Sequence, residues 1–389
     1  MASLMIAIIY LAFISMGLPD SILGAAWPTI YPVFNVPVSY AGFITILIAS
    51  GTVISSLLSN RMQNRFGTGV VTVACTLLTA IALFGFSISN QFWQLCLWAL
   101  PYGLGAGSID AALNNYVALH YKSRHMSFIH FFWGLGATAG PYIMGMVLTG
   151  GQAWNMGYRV VSYIQAGMTL CLLLALPYWK KSAIRVAETS EGAKSLTTLD
   201  ALKLPGAKAV LIAFFCYCAI ESTTGLWLSS YMAIYRGISA ETAAKWSSIF
   251  FLGITIGRFL CAFVTDRVGD RNMVRIGQGL ILLGVLLLFL PLGDIACFAG
   301  LISIGLGCAP IYPCLLHETP QNFGTDKSQA IMGIQMACAY LGSTLMPPLF
   351  GWLSELVGIS LLPVYLLALI ILMMVLVERL NAMKRVEQP

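Results

Sequence analysis

The sequence predicts an all-α membrane protein: twelve transmembrane helices in two pseudo-symmetric six-helix bundles. Three observations carry this. The composition is too apolar for a soluble domain, the apolar runs have bilayer-spanning length, and the two halves repeat the same motifs in the same order. Of the 389 residues, 58% are hydrophobic and 9% are charged, where a soluble domain carries about 25% charged residues. Mean hydropathy is +0.83.

No charged side chain occurs between Phe66 and Ile109, between Met126 and Tyr158, or between Ile276 and Gly293. A spanning helix needs about 20 apolar residues, so the first interval holds two spans, with Ser89-Asn90-Gln91 as the bend. Apolar runs set against charged or Pro/Gly-rich turns give spans near 4–31, 40–60, 68–89, 93–119, 126–149, 159–179, 209–235, 243–265, 273–292, 295–316, 328–350 and 359–378. A cleaved signal peptide is not expected, because residues 1–16 lack a basic start and the apolar run continues past them.

With the N-terminus cytoplasmic, seventeen of the 21 basic residues fall in cytoplasmic segments. This bias predicts that both termini are cytoplasmic. The net charge of +6 is then a consequence of topology, and no nucleic-acid partner is implied. The polar stretch 180–208 reads as a cytoplasmic linker. It separates an N-terminal bundle at 1–179 from a C-terminal bundle and short tail at 209–389. The ten cysteines fall in predicted spans and read as small apolar packing residues.

The halves match each other. Tyr102-Gly103-Leu104-Gly105 corresponds to Ile304-Gly305-Leu306-Gly307, and Asn64-Arg65-Phe66-Gly67 to Asp266-Arg267-Val268-Gly269, both at an offset of 202. Gly136, Pro141 and Gly145 correspond to Gly342, Pro347 and Gly351 at an offset of 206. Asp20, Gly24 and Trp27 in span 1 have Glu221, Gly225 and Trp227 as counterparts in span 7. Parallel repeats with a site near the bilayer midplane between them are a transporter architecture. On these residues the chain resembles the major facilitator superfamily over its whole length.

The stretch Ala262-x-x-x-Asp266-Arg267-x-Gly269-Asp270-Arg271 resembles that superfamily's loop motif. The resemblance implies a gating role for Asp266, Arg267 and Arg271 on the cytoplasmic side. The first-half copy departs from the pattern, with Asn60 and Asn64 in place of the leading Gly and the Asp.

Ionisable residues within spans cost about 2.5–3.5 kcal/mol each on insertion scales, and they mark pathways. The candidates are Asp20, Asp110, Glu221 and Arg258. Asp20 lies roughly 24 Å from the inner end of span 1 and Asp110 roughly 14 Å into span 4, at about 1.5 Å per residue. Carboxylates at that depth suit proton coupling or solute binding. Glu221 either pairs with Arg258 or faces the cavity as the counterpart of Asp20; in the second case Arg258 serves the cytoplasmic gate.

Helical spacing extends the candidate site. Asn114 shares a face with Asp110, and Trp27 shares one with Asp20. Trp133, Trp227, Tyr312, Gln335 and Tyr340 complete it. Pro19 removes a helix hydrogen bond beside Asp20 and bends the helix there. The histidines form no metal-ligand cluster, and Gly-rich 103–108 lacks the Gly-Lys-Ser/Thr of a phosphate loop. No cofactor is expected, and neither is an enzymatic activity.

Five stretches narrow the resemblance to the fucose permease-like sugar:proton symporters. They are GLPDSILGAAWP (17–28), the span 4 acid Asp110, HFFWGLGATAGP (130–141), ESTTGLWLSSY (221–231) and GITIGRF (253–259). The resemblance implies that Asp20 and Asp110 act together in sugar and proton coupling. It also implies a monomer, working in the lipid of a bacterial inner membrane on a sugar-like solute. Asp110 is one methylene shorter than the Glu expected there. Carboxylates, amides and indoles suit hydroxyls and the apolar faces of a pyranose, and the site lacks a basic cluster for strongly anionic solutes. The alternative is a proton-driven exporter of drugs or other metabolites with the same fold.

Overall fold

The computed structural model describes residues 2–120, 123–180, 203–290 and 293–386. The side chains of Asp110, Asn114 and Asp266 lie outside the described residues, as does most of the expected linker at 180–208. Among the described residues there are helices and no strands. The helices are α1 (Ala2–Asp20), α2 (Ile22–Val33), α3 (Ala41–Phe66), α4 (Thr68–Ile88), α5 (Phe92–His120), α6 (Ser123–Thr149), α7 (Trp154–Leu174) and α8 (Leu176–Lys180). After the linker come α9 (Ala207–Ser230), α10 (Ala240–Val268), α11 (Asp270–Phe289), α12 (Gly293–His317), α13 (Thr319–Phe323), α14 (Thr325–Val357) and α15 (Leu362–Val386).

Helix occupies each range in which a span is expected. Eight stretches among the described residues are long and apolar enough to cross a membrane. The first expected span is two helices, α1 and α2, broken at Ser21. Pro19 has no N–H to give to the carbonyl four residues back, and its ring crowds that carbonyl. At the far end of α9 the helix widens: residues Tyr231–Tyr235 form a π-turn, closed by Arg236 N–H on Tyr231 O at 3.3 Å.

The repeat is visible in the backbone. Gly67 ends α3 at φ 83°, ψ 151°, and Gly269 ends α10 at φ 81°, ψ 149°. Each N–H caps a carbonyl four residues back, on Gln63 and Thr265, at 2.8 Å. Positive φ with extended ψ is a conformation open essentially to glycine alone. A one-for-one backbone match at the 202 offset therefore explains why glycine recurs there.

Small residues set the helix spacing, as is usual where lipid gives no hydrophobic drive to association. A Cβ on Gly17 of α1 would lie 2.9 Å from Ala137 N of α6, and one on Gly136 would lie 2.7 Å from Leu18 N. The second half repeats the device, with a Cβ on Gly342 of α14 reaching 3.3 Å from Ala219 N of α9. Likewise a Cβ on Gly105 of α5 would sit 2.7 Å from Cys75 O of α4, and one on Gly307 of α12 would sit 2.7 Å from Ile281 N of α11.

The chain divides into two compact units: Met1–Glu188 with Leu228–Phe251, and Thr189–Trp227 with Leu252–Pro389. The end of α9 and the start of α10 cluster with the first unit. Within that unit Ser229 Oγ donates to Ala25 O at 3.4 Å. Gly145 leaves room for α10, where a Cβ would stand 2.9 Å from Lys245 N.

Candidate functional site

The site in the first unit is built on the α1–α2 break. Asp20 is the last residue of α1, and its side chain is exposed although the surrounding segment, Ile22–Pro28, is buried throughout. Two neutral donors hold it. Tyr102 of α5 donates its hydroxyl to Oδ1 at 2.7 Å, and Trp133 of α6 donates its indole N–H to Oδ2 at 2.9 Å. Ser21, next in the chain, donates to Ala137 O at 2.6 Å and pins the break to α6. No cation among the described residues pairs with Asp20. A carboxylate held by two hydrogen bonds keeps acceptor capacity for a proton or a hydroxyl-bearing solute.

The second unit holds a different arrangement at the equivalent helix. Glu221 of α9 accepts the hydroxyl of Tyr217, one turn earlier, and lies 3.7 Å from Arg258 of α10. The two side chains are 18% and 16% exposed. Of the two alternatives open for Glu221, the structure takes the ion pair with Arg258. Tyr312 packs its ring 6.1 Å from Tyr217 and 4.9 Å from Phe214, and donates its hydroxyl to Met336 Sδ at 3.1 Å. The pseudo-symmetric positions therefore carry unlike chemistry among the described residues: an acid with no cationic partner in the first half and an ion-paired one in the second.

Three expected lining residues are packed away in this conformation. Trp27 and Trp227 are fully buried. Their indole N–H groups are satisfied by backbone carbonyls, Val38 O at 2.6 Å and Pro347 O at 2.7 Å. Both rings fasten the end of one helix to a neighbouring segment and present no face to a solute. Gln335 is also fully buried, its Oε1 taken by Thr319 at 2.9 Å. Tyr340 is exposed. Trp133 is the expected aromatic that joins Asp20, through its N–H.

Around the loop motif, Arg271 lies 3.3 Å from Glu318, Asp270 takes His317 Nδ1 at 2.6 Å, and Arg267 is exposed. These contacts tie the start of α11 to the end of α12. Burial pushes the Glu318 carboxyl above its usual range, and the Arg271 charge partly offsets this.

Tyr102, Tyr217 and Glu318 are the residues that sequence reasoning missed. Tyr217 is four residues before Glu221 and shares its helix face. Tyr102 carried a subtler signal. It is the one position where the matched repeat Tyr-Gly-Leu-Gly departs from Ile-Gly-Leu-Gly.

Known proteins agree with this architecture. A profile described as Major Facilitator Superfamily matches residues 9–316 and 210–387. The chain is 21% identical over 383 residues to Bypass of stop codon protein 6 of Saccharomyces cerevisiae, covering 90% of this chain and 77% of that one. It is 22% identical over 350 residues to the glucose/mannose transporter GlcP of Bacillus subtilis, covering 88% and 86%. Among solved structures, a mutant form of the nucleoside transporter NupG superposes with a TM-score of 0.77 at 15% identity, covering 97% of this chain and 98% of that chain. The chain belongs to the major facilitator superfamily and is a multi-pass membrane transporter.

Proposed function

We propose that this transporter is a secondary active carrier of a small neutral solute, a monosaccharide, coupled to protons by alternating access. Asp20 and Asp110 are its key carboxylates. The carrying observation is Asp20: an accessible acid at a helix break, held by two neutral donors and by no cation among the described residues. Such a group accepts a proton without breaking an ion pair. Glu221 is the less suited acid, because Arg258 already compensates it. The printed name of the GlcP relative, a glucose/mannose transporter, supports the solute class. Cytoplasmic termini belong to the same proposal and rest on the basic-residue bias, and a bacterial inner membrane belongs to it on the strength of the family resemblance.

A thermal-shift screen of monosaccharides against lipophilic cations, at two pH values, tests the solute class. Stabilisation by a monosaccharide that changes with pH supports the proposal. Stabilisation by lipophilic cations alone would move the reading to the exporter.

A further inference from the structure

The two donors on Asp20 stand in unlike surroundings. Tyr102 is 5% exposed, and its hydroxyl bonds to Oδ1 at 2.7 Å. Trp133 is half-buried, and its indole N–H meets Oδ2 at 2.9 Å in an exposed contact. One oxygen of the carboxylate thus faces a buried phenol and the other an accessible indole. The phenol has little freedom to leave. Among the described residues Asp20 is the one hydrogen-bond partner of the Tyr102 hydroxyl. Turning a buried donor away from its acceptor costs that donor its full desolvation penalty. Close packing also fixes α5 beside it. A Cβ on Gly103 would stand 3.0 Å from Ile48 Cα of α3, and one on Gly105 would stand 2.7 Å from Cys75 O of α4. The second half offers a contrast. Ile304 stands where the repeat has Tyr102, and the phenol on Glu221 comes from Tyr217 of the same helix. A phenol reaching across from another helix is found in the half whose acid has no cationic partner among the described residues.

The two oxygens of a neutral carboxyl are not alike. The hydroxyl oxygen carries one O–H donor and keeps some acceptor capacity, while the carbonyl oxygen is the better acceptor. A proton on Oδ1 would make that oxygen the weaker acceptor and loosen the bond of the buried donor. A proton on Oδ2 leaves Oδ1 as the carbonyl, and the Tyr102 bond persists. The new O–H then lies on the exposed side, where water or a solute oxygen accepts it. The indole N–H uses the acceptor capacity that Oδ2 retains.

We propose that Tyr102 is a positioning residue. By holding Oδ1 it directs the coupled proton to Oδ2, the oxygen beside Trp133, and turns that oxygen to the solute. The step is a simple addition. The proton comes from the aqueous phase, one O–H bond forms on Oδ2, the charge of the carboxylate is neutralised, and Tyr102 keeps its own proton. The proposal rests on the reading of Asp20 as the proton-binding acid.

Infrared difference spectroscopy on acidification of the full-length protein reads the assignment oxygen by oxygen. The C=O stretch of a protonated carboxyl falls in frequency when its carbonyl oxygen accepts a hydrogen bond, so removing that donor raises it. The wild type should show a protonated-carboxyl band that Asp20→Asn removes. Tyr102→Phe keeps the ring and should move the band to higher frequency. Trp133→Phe should leave it nearly in place. An unmoved band in Tyr102→Phe, or an upward move in Trp133→Phe, puts the carbonyl on Oδ2 and overturns the proposal. Should Tyr102→Phe fail to fold, the Trp133→Phe band decides alone. A band that is missing from the wild type, or that survives Asp20→Asn, overturns Asp20 as the proton-binding acid and the positioning role with it. Loss of the band in Asp20→Asn with the wrong variant shifted overturns the positioning role alone, so the two failures are distinguishable.

Discussion

The hydroxyl of Tyr102 bonds to Asp20 Oδ1 at 2.7 Å across 82 positions of sequence, joining the broken first span to the middle of α5. The bond exists because helices approach closely at glycines. Gly17 and Gly136 bring α1 against α6, and Gly103 and Gly51 bring α5 against α3. The acid is thus held by helix packing, and its two donors come from rigid elements.

Removal of the second donor tests the hold on the acid directly. A hydrogen bond to a charged group is worth about 1.5–3 kcal/mol, so Trp133→Phe should reduce proton-driven uptake in proteoliposomes by about tenfold or more. The folded protein should survive, since an aromatic ring is retained. Unchanged uptake in Trp133→Phe would remove the indole from the site.

The helix seams should be intolerant of bulk. Gly17→Leu forces α1 and α6 apart and should lower the melting temperature by the equivalent of about 1–3 kcal/mol or more. Gly167, beside which a Cβ would find nothing within 4 Å, is the control, and Gly167→Ala should leave the melting temperature almost unchanged. Equal effects at the two positions would contradict the packing account.

The Glu221–Arg258 pair should behave as a mostly buried ion pair. Removal of one partner leaves an uncompensated charge and costs about 3–5 kcal/mol, while replacing both with apolar groups of similar size costs much less. Thermal melts of Glu221→Leu, Arg258→Met and the double variant form the cycle. Additive losses would show that the two side chains do not act as a pair.

A pH effect follows from Glu318. Burial raises its folded-state pKa above the ordinary value of 4.5. The folded protein therefore binds that proton more tightly than the unfolded chain does. The associated stability is fully present below pH 4.5 and is lost as pH rises through the raised value. Glu318→Gln should flatten the dependence of melting temperature on pH just above 4.5. A wild-type slope retained by the variant would assign the effect to another group.

Much of this was legible in the sequence, for identifiable reasons. The repeat showed because the same backbone demand, a positive φ at Gly67 and Gly269, forces the same residue twice. Asp20 showed because an acid in an apolar run is costly enough to need a purpose. The fates of Trp27 and Trp227 were not legible. Their partners, Val38 O and Pro347 O, are backbone groups that carry no residue-type signal. Tyr102 stood out only as a departure from the repeat, and its partner was not legible because the contact depends on how α5 packs against α1.

The central claim, that Asp20 couples solute movement to protons, is tested most directly in proteoliposomes under an imposed pH gradient. The measurement is accumulation of labelled monosaccharides by the wild type and by Asp20→Asn. The account predicts accumulation that follows the gradient in the wild type and is abolished in the variant. Gradient-driven accumulation that persists in Asp20→Asn would contradict it.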